Sequence, residues 1–187
     1  MPVSSGLATR SICRSVLVVA MLAGLALGTG AHDLGERQLK AEMIVRMLRL
    51  VSWRTAPAAD ATAPLTVLVI GDPALADALR EAAQGQRVDR RPLAIAGVAT
   101  ITQLPAVPPA VVVLAASQRA SAPALIRSVE PKGVLTIGDG EGMGQAGLVI
   151  GVYVDGDRIR FDANTAAAAR AGLSLSSHLL RLARIVG

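Results

Sequence analysis

Asp155-Gly-Asp-Arg158-Ile-Arg-Phe-Asp-Ala-Asn164, followed by Thr165-Ala-Ala-Ala-Ala-Arg-Ala-Gly-Leu-Ser-Leu-Ser-Ser-His-Leu-Leu-Arg-Leu-Ala-Arg-Ile-Val-Gly187, is the stretch on which the fold turns. Asp155-Gly156 is a favoured type I′ hairpin pair, and it stands between the apolar residues 148–154 and the alternating residues 158–161. The pair predicts an antiparallel hairpin. Asn164 is placed to cap a helix over residues 165–171, and Gly172 to end it in a left-handed conformation. Leu175, Leu179, Leu182 and Val186 then fall on one stripe of a last helix. Period-2 spacing puts Arg158 and Arg160 on one face of the hairpin and Phe161 on the other, in the core.

Upstream, short aliphatic runs alternate with amphipathic ones. Residues 66–70, 110–115 and 134–137 read as strands covered on both faces of a parallel sheet, and residues 92–98 as a weaker strand. In Gly71-Asp-Pro73, Asp72 is placed to cap a helix that Pro73 opens, where no amide hydrogen is needed. Residues 122–129 form a further helix. Residues 34–53 read as the first one: Ile44, Met47, Leu48 and Val51 follow the i, i+3, i+4, i+7 rule, opposite a polar stripe of Glu42, Arg46 and Arg49. Glu36 with Lys40 and Glu42 with Arg46 are i,i+4 pairs. Pro57 and Pro64 bracket an alanine-rich linker, and Pro105, Pro108 and Pro109 mark a break. The alternation predicts a single α/β domain: a mostly parallel central sheet, flanking helices and a C-terminal antiparallel hairpin.

The first 31 residues stand apart. Arg10 and Arg14 form a basic region, residues 15–27 are almost wholly apolar, and Gly28-Thr-Gly-Ala31 supplies small residues for cleavage. That order fits a secretory signal peptide over residues 1–31, leaving residues 32–187 as the domain. The apolar run falls short of the roughly 20 residues of a comfortable bilayer span; a retained anchor is the alternative. Cys13, the only cysteine, lies inside this leader, so the secreted part has no thiol and no disulfide.

Several function classes recede on composition. The leader holds two of the 19 basic residues and none of the 14 acidic ones, so the secreted part carries only a small positive excess. Its basic residues are scattered, its aromatics are Trp53, Tyr153 and Phe161, and Arg87, Arg90 and Arg91 read as a solvated loop, so nucleic acid is set aside as a partner. Gly142, Gly144 and Gly147 match Gly-x-Gly-x-x-Gly, but they lead into a strand and not a helix. A mobile loop between a strand and the hairpin is the reading of that run. His32 and His178 have no companion at metal-ligand spacing. Asp139 with Glu141 and Asp155 with Asp157 lack a neighbouring nucleophile, and Ser174, Ser176 and Ser177 lack a positioned base. The sequence therefore reads as non-enzymatic, with no cofactor and no metal. Arg158 and Arg160 are spaced to hold a carboxylate or phosphate, or simply to charge an exposed edge.

The ending resembles the closing signature of the YfiR family of periplasmic regulators, through Arg160-Phe161, Asn164, Gly172-Leu173, Ser176-Ser177 and Leu179-Leu180. Lys40-Ala41, Trp53, Val69-Ile-Gly-Asp72 and Gly147 stand at further matching places. The chain departs from the family in having Ile44, Val45, Met47 and Leu48 where members often carry tyrosine or phenylalanine. It also has Arg54 where proline usually follows the tryptophan, and it lacks the disulfides of some members. The resemblance implies a non-enzymatic periplasmic protein that binds the periplasmic portion of a membrane diguanylate cyclase and restrains it, lowering cyclic di-GMP. For such a partner the contact surfaces expected here are the first helix with Trp53 and the exposed side of the hairpin, with Arg158 and Arg160. A periplasmic sensor that holds a small anionic ligand on those arginines and acts on another membrane receptor stays open, as does a homodimer.

Overall fold

The computed structural model describes residues 28–54 and 63–187, the side chains of residues 28–34 excepted. Most of the expected leader and the alanine-rich linker after Pro57 lie outside the described residues. Met1–Glu36 and Arg37–Gly187 are two compact units; the architecture below is that of the second. Among the described residues no helix is long and apolar enough to cross a membrane.

The aliphatic runs become the centre of an eight-stranded sheet. Strand β2 (Leu65–Ile70), β5 (Val111–Leu114) and β6 (Leu135–Asp139) are buried over most of their length and pair in parallel. The weaker candidate is real: β4 (Arg91–Val98) pairs in parallel with β2 along its other side. A two-residue strand, β3 (Arg87–Val88), folds back antiparallel on β4. On the far side β7 (Ile150–Asp155) lies parallel to β6 and antiparallel to β8 (Arg158–Asn164), which makes the expected hairpin. The last strand, β10 (Arg184–Val186), runs parallel to β8, so the order is β10-β8-β7-β6-β5-β2-β4-β3.

Each face has its own core. On one, α1 (Gly28–Leu48), α2 (Pro73–Ala82) and α4 (Thr165–Arg170) place Ile44, Leu48, Leu75, Leu79 and Ala167 against Val67, Val69, Val111, Val113 and Ile137. On the other, α3 (Ala122–Val129) brings Leu125 and Val129 onto Leu68, Ile70, Val112 and Leu114. The caps read from sequence form as expected. Asp72 accepts from the Leu75 amide at 3.0 Å and Asn164 from the Ala167 amide at 2.8 Å, while Gly172 has φ 66°.

Three local readings are corrected. The first helix ends at Leu48, and β1 (Val51–Trp53) instead pairs antiparallel with β9 (Leu173–Leu175) as a separate two-stranded sheet. The last helix shrinks to α5 (Ser177–Leu182), because Ser176 caps it by accepting from the Leu179 amide at 3.2 Å. Leu175 thus precedes the helix in β9, Val186 follows it in β10, and Leu182 is 65% exposed. In the hairpin, Asp155 is the register partner of Arg158, so the loop is Gly156-Asp157. Only Gly156 has a positive φ (60°), which is the type II′ pattern and not type I′. The type I′ pattern occurs where the sequence suggested only a solvated loop: Asp89 (φ 48°) and Arg90 (φ 69°) join β3 to β4.

The glycine-rich run is not a mobile loop. Parallel neighbours need a crossover, usually a helix, and here residues 140–149 carry β6 to β7 without one. Met143, 0% exposed, does the helix's work by seating over Gly138 and Gly151, which are register partners. A Cβ on Gly138 would lie 2.4 Å from the Met143 Cβ, and one on Gly151 2.7 Å from the Gly144 amide nitrogen. The glycines are there for close packing, which leaves no phosphate cradle.

Candidate partner-binding surface

Parity along β7 and β8 decides which side chains meet. Ile150, Val152, Phe161 and Ala163 point into the α1 side of the sheet. Tyr153 and Asp155 on β7, with Arg158, Arg160 and Asp162 on β8, share the opposite face. The expected placement of the two arginines holds. Arg160 Nε lies 2.6 Å from Asp155 Oδ2, both side chains being more than half exposed, while Arg158 is exposed beside them. An anion reaching Arg160 therefore has to displace a carboxylate already there.

Deeper on the same face the charge is buried. Asp162 is 0% exposed, and it accepts a fork of two hydrogen bonds from Arg184: Nε to Oδ1 at 2.7 Å and Nη2 to Oδ2 at 3.0 Å. The guanidinium also lies 5.0 Å from the centroid of the Tyr153 ring, within cation–π range. Arg184 is opposite Asp162 in register, so the fork fastens β10 to the sheet. Donating this fork to Asp162 raises the guanidinium's pKa further above its ordinary value.

Burial pushes the Tyr153 phenol above its ordinary value of about 10, and the charge of Asp162 adds to this against the pull of Arg184. Tyr153 is the only tyrosine, so an ultraviolet titration of phenolate should show one midpoint above about 10. A midpoint at or below that value contradicts the arrangement. The sign for stability follows. Below about pH 10 both folded and unfolded chains keep the proton; above it the unfolded chain loses it first, so this group weakens the fold as pH rises.

Trp53 is elsewhere. It ends β1 and packs, partly buried, against the core on the α1 side, so the indole and the arginine face occupy opposite sides of the sheet. Its Nε1 is buried without a hydrogen-bond partner among the described residues. Lys40 reaches from α1 to Asp139 at the end of β6 (2.7 Å), and Arg37 reaches Asp72 at 3.3 Å.

Sequence reasoning missed one surface. Among the described residues strand β10 pairs with β8 alone and its outer edge has no partner strand, and Leu182 and Ile185 beside it are 65% and 51% exposed. A three-residue strand after a short helix gives no periodic signal, and reading residues 173–186 as one helix hid it.

A family profile described as YfiR/HmsC-like matches residues 37–184. Among solved structures, a conserved domain protein from Vibrio cholerae O1 biovar El Tor strain N16961 is similar, with a TM-score of 0.54 and 14% identity. That likeness covers 81% of this chain and 60% of that chain, so the present chain spans less than two thirds of the Vibrio chain. At such low identity it speaks for the fold alone. A comparison with curated proteins finds no match.

Proposed function

The chain belongs to the YfiR/HmsC-like family, and from that premise we propose that it is a non-enzymatic periplasmic regulator that binds the periplasmic portion of a membrane diguanylate cyclase and restrains it. The observation that carries this is the family match over residues 37–184, almost the whole of the second compact unit. Membership suggests a periplasmic regulator of diguanylate cyclase signalling. Binding to the periplasmic portion of the cyclase, and restraint as the sign of regulation, go beyond that and are proposed. Binding acts only through a difference in affinity between the active and inactive arrangements of the receptor.

Three surfaces are offered for contact: Trp53 beside α1, the Arg158–Arg160 face, and the open β10 edge with Leu182 and Ile185. The partly exposed indole supports the first, and exposed aliphatic side chains at the β10 edge support the third. Crosslinking the tagged protein in the periplasm of its own host, then identifying the captured membrane protein, tests the reading. Trp53→Ala should weaken capture by about 2 kcal/mol, as aromatic anchors do, and Arg160→Ala by about 1 kcal/mol or less, since the pair is exposed. Unchanged capture in both variants removes those two surfaces.

A periplasmic sensor for a small anion is the second reading, favoured by the shared exposed face of Arg158 and Arg160. A specific ligand would raise the melting temperature by mass action, and a pure protein-binding module would give no such shift.

A further inference from the structure

Most cations with a neighbour in this domain meet a carboxylate: Arg46 has Glu42, Arg80 has Asp77, Arg160 has Asp155, Arg170 has Glu130 and Arg184 has Asp162. Arg119 instead donates to a neutral oxygen, the Glu141 carbonyl, and more guanidiniums of this kind gather at one end of the molecule. Where α1 and α2 finish and β2 and β4 begin, three guanidiniums are fixed by neutral oxygens. Arg49 donates to the Gln86 side-chain carbonyl, and Arg87 Nη1 donates to the Arg90 carbonyl at 2.9 Å. Arg91 donates to the Ala63 and Pro64 carbonyls at 2.7 and 3.1 Å. Such bonds orient a guanidinium without neutralising it. Arg90 adds a fourth cation at the tip of the β3–β4 turn, exposed like Arg49 and Arg87 while Arg91 is half-buried, and among the described residues Glu81 and Asp89 are exposed carboxylates close by in the chain.

Two further observations point the same way. The turn holds Arg90 at φ 69°, a left-handed conformation that a non-glycine residue adopts at a cost; strain of this kind collects at binding sites. Beside the turn is a depression of about 390 Å³, rimmed by Arg80 and Arg87 and floored by Pro92, Leu93 and Ile95. Oriented guanidiniums recognise phosphate oxygens in pairs, and an apolar floor next to them suits the glycerol and acyl part of an amphiphile.

We propose that the β3–β4 hairpin and this depression form a docking site for the phosphate headgroups of anionic lipids, so that the domain rests on the membrane in which its receptor is embedded. The proposal rests on the periplasmic-regulator reading for the presence of that membrane. It concerns a different face from the contact surfaces on the β7–β8 hairpin and the β10 edge. Attachment would hold the regulator at the bilayer surface and raise its effective concentration near a receptor.

The test is vesicle sedimentation of the protein recovered from the periplasm, with phosphatidylcholine vesicles and with vesicles enriched in phosphatidylglycerol. Binding should require phosphatidylglycerol and weaken with added salt. The double variant Arg87→Gln with Arg90→Gly should bind about thirtyfold more weakly, roughly fivefold for each arginine lost near an anionic surface. Arg90→Gly removes the left-handed strain and should leave the melting temperature equal or higher, so its loss of binding cannot be put down to unfolding. Equal sedimentation with both vesicles, no sedimentation, or an unaffected double variant each overturns the proposal. So does a saturable melting shift with inorganic phosphate in a protein that ignores the vesicles, because the site then serves a free anion. The vesicles contain no receptor, so a negative result leaves the regulator reading standing, and failed receptor capture leaves this measurement unaffected.

Discussion

Replacing Lys40 with methionine should destabilise the domain by about 3 kcal/mol, the low end of the range for breaking a buried ion pair. Lys40 is 8% exposed, and its Nζ lies 2.7 Å from Asp139 Oδ1, with the two side chains 10% and 15% exposed. Methionine keeps most of the aliphatic stem that packs along α1, so packing loss is minor and the effect is that of a carboxylate left without its cation. Asp139 closes β6 at the entry to the glycine-rich crossover. Damage there should also loosen the seat of Met143. Trp53 is the only tryptophan and packs against the core, so its fluorescence follows denaturant unfolding without a label. Adding Asp139→Asn should recover most of the loss, since the charge that suffered is then gone. A single variant within about 0.5 kcal/mol of the parent, as a surface change would give, contradicts this account.

The second large effect is expected at Gly138. Its φ is not positive, so alanine suits the backbone, and in a strand the exchange ordinarily gains about 0.5–1 kcal/mol. Here the added methyl would stand 2.4 Å from the Met143 Cβ and 2.8 Å from Leu148 Cδ1. Met143 and Leu148 are both fully buried, so neither has room to move aside. Gly138→Ala should therefore cost about 2–3 kcal/mol, as overpacking does, measured as a lower urea midpoint with an unchanged slope. A neutral or stabilising result would mean that the crossover is not seated on β6 and β7, and would return the glycine run to the status of an open loop.

Neither of these two sites was readable in the sequence, whereas features decided locally were. Asp72, Asn164 and Gly172 were legible because a cap is decided within a few residues by side-chain chemistry and backbone φ. The face shared by Arg158 and Arg160 was legible because strand parity is local too. Lys40 and Asp139 were not paired in advance, because they are 99 positions apart and only the docking of α1 on the sheet brings them together. The glycine run misled for a related reason. Glycine marks both a mobile loop and a close approach, and only the partner across the contact, Met143, tells which. Residues 173–186 carried an apolar spacing that satisfies a helix. Two distant strands, β1 and β8, claimed its two ends, and tertiary pairing overrode the local period. Trp53 was read at the end of a helix for the same reason: its strand exists only by virtue of β9.

The functional reading stands on family membership across residues 37–184, and its contact surfaces are proposals made from geometry. Restraint of a cyclase is its central claim. The most direct test is cytoplasmic cyclic di-GMP in three strains of the host: the parent, one lacking this protein, and one lacking both it and the membrane cyclase captured by crosslinking. Restraint predicts a rise in the single deletion and a return to the parent level or below in the double. An unchanged or lower level in the single deletion, or a rise that persists without the captured cyclase, contradicts it.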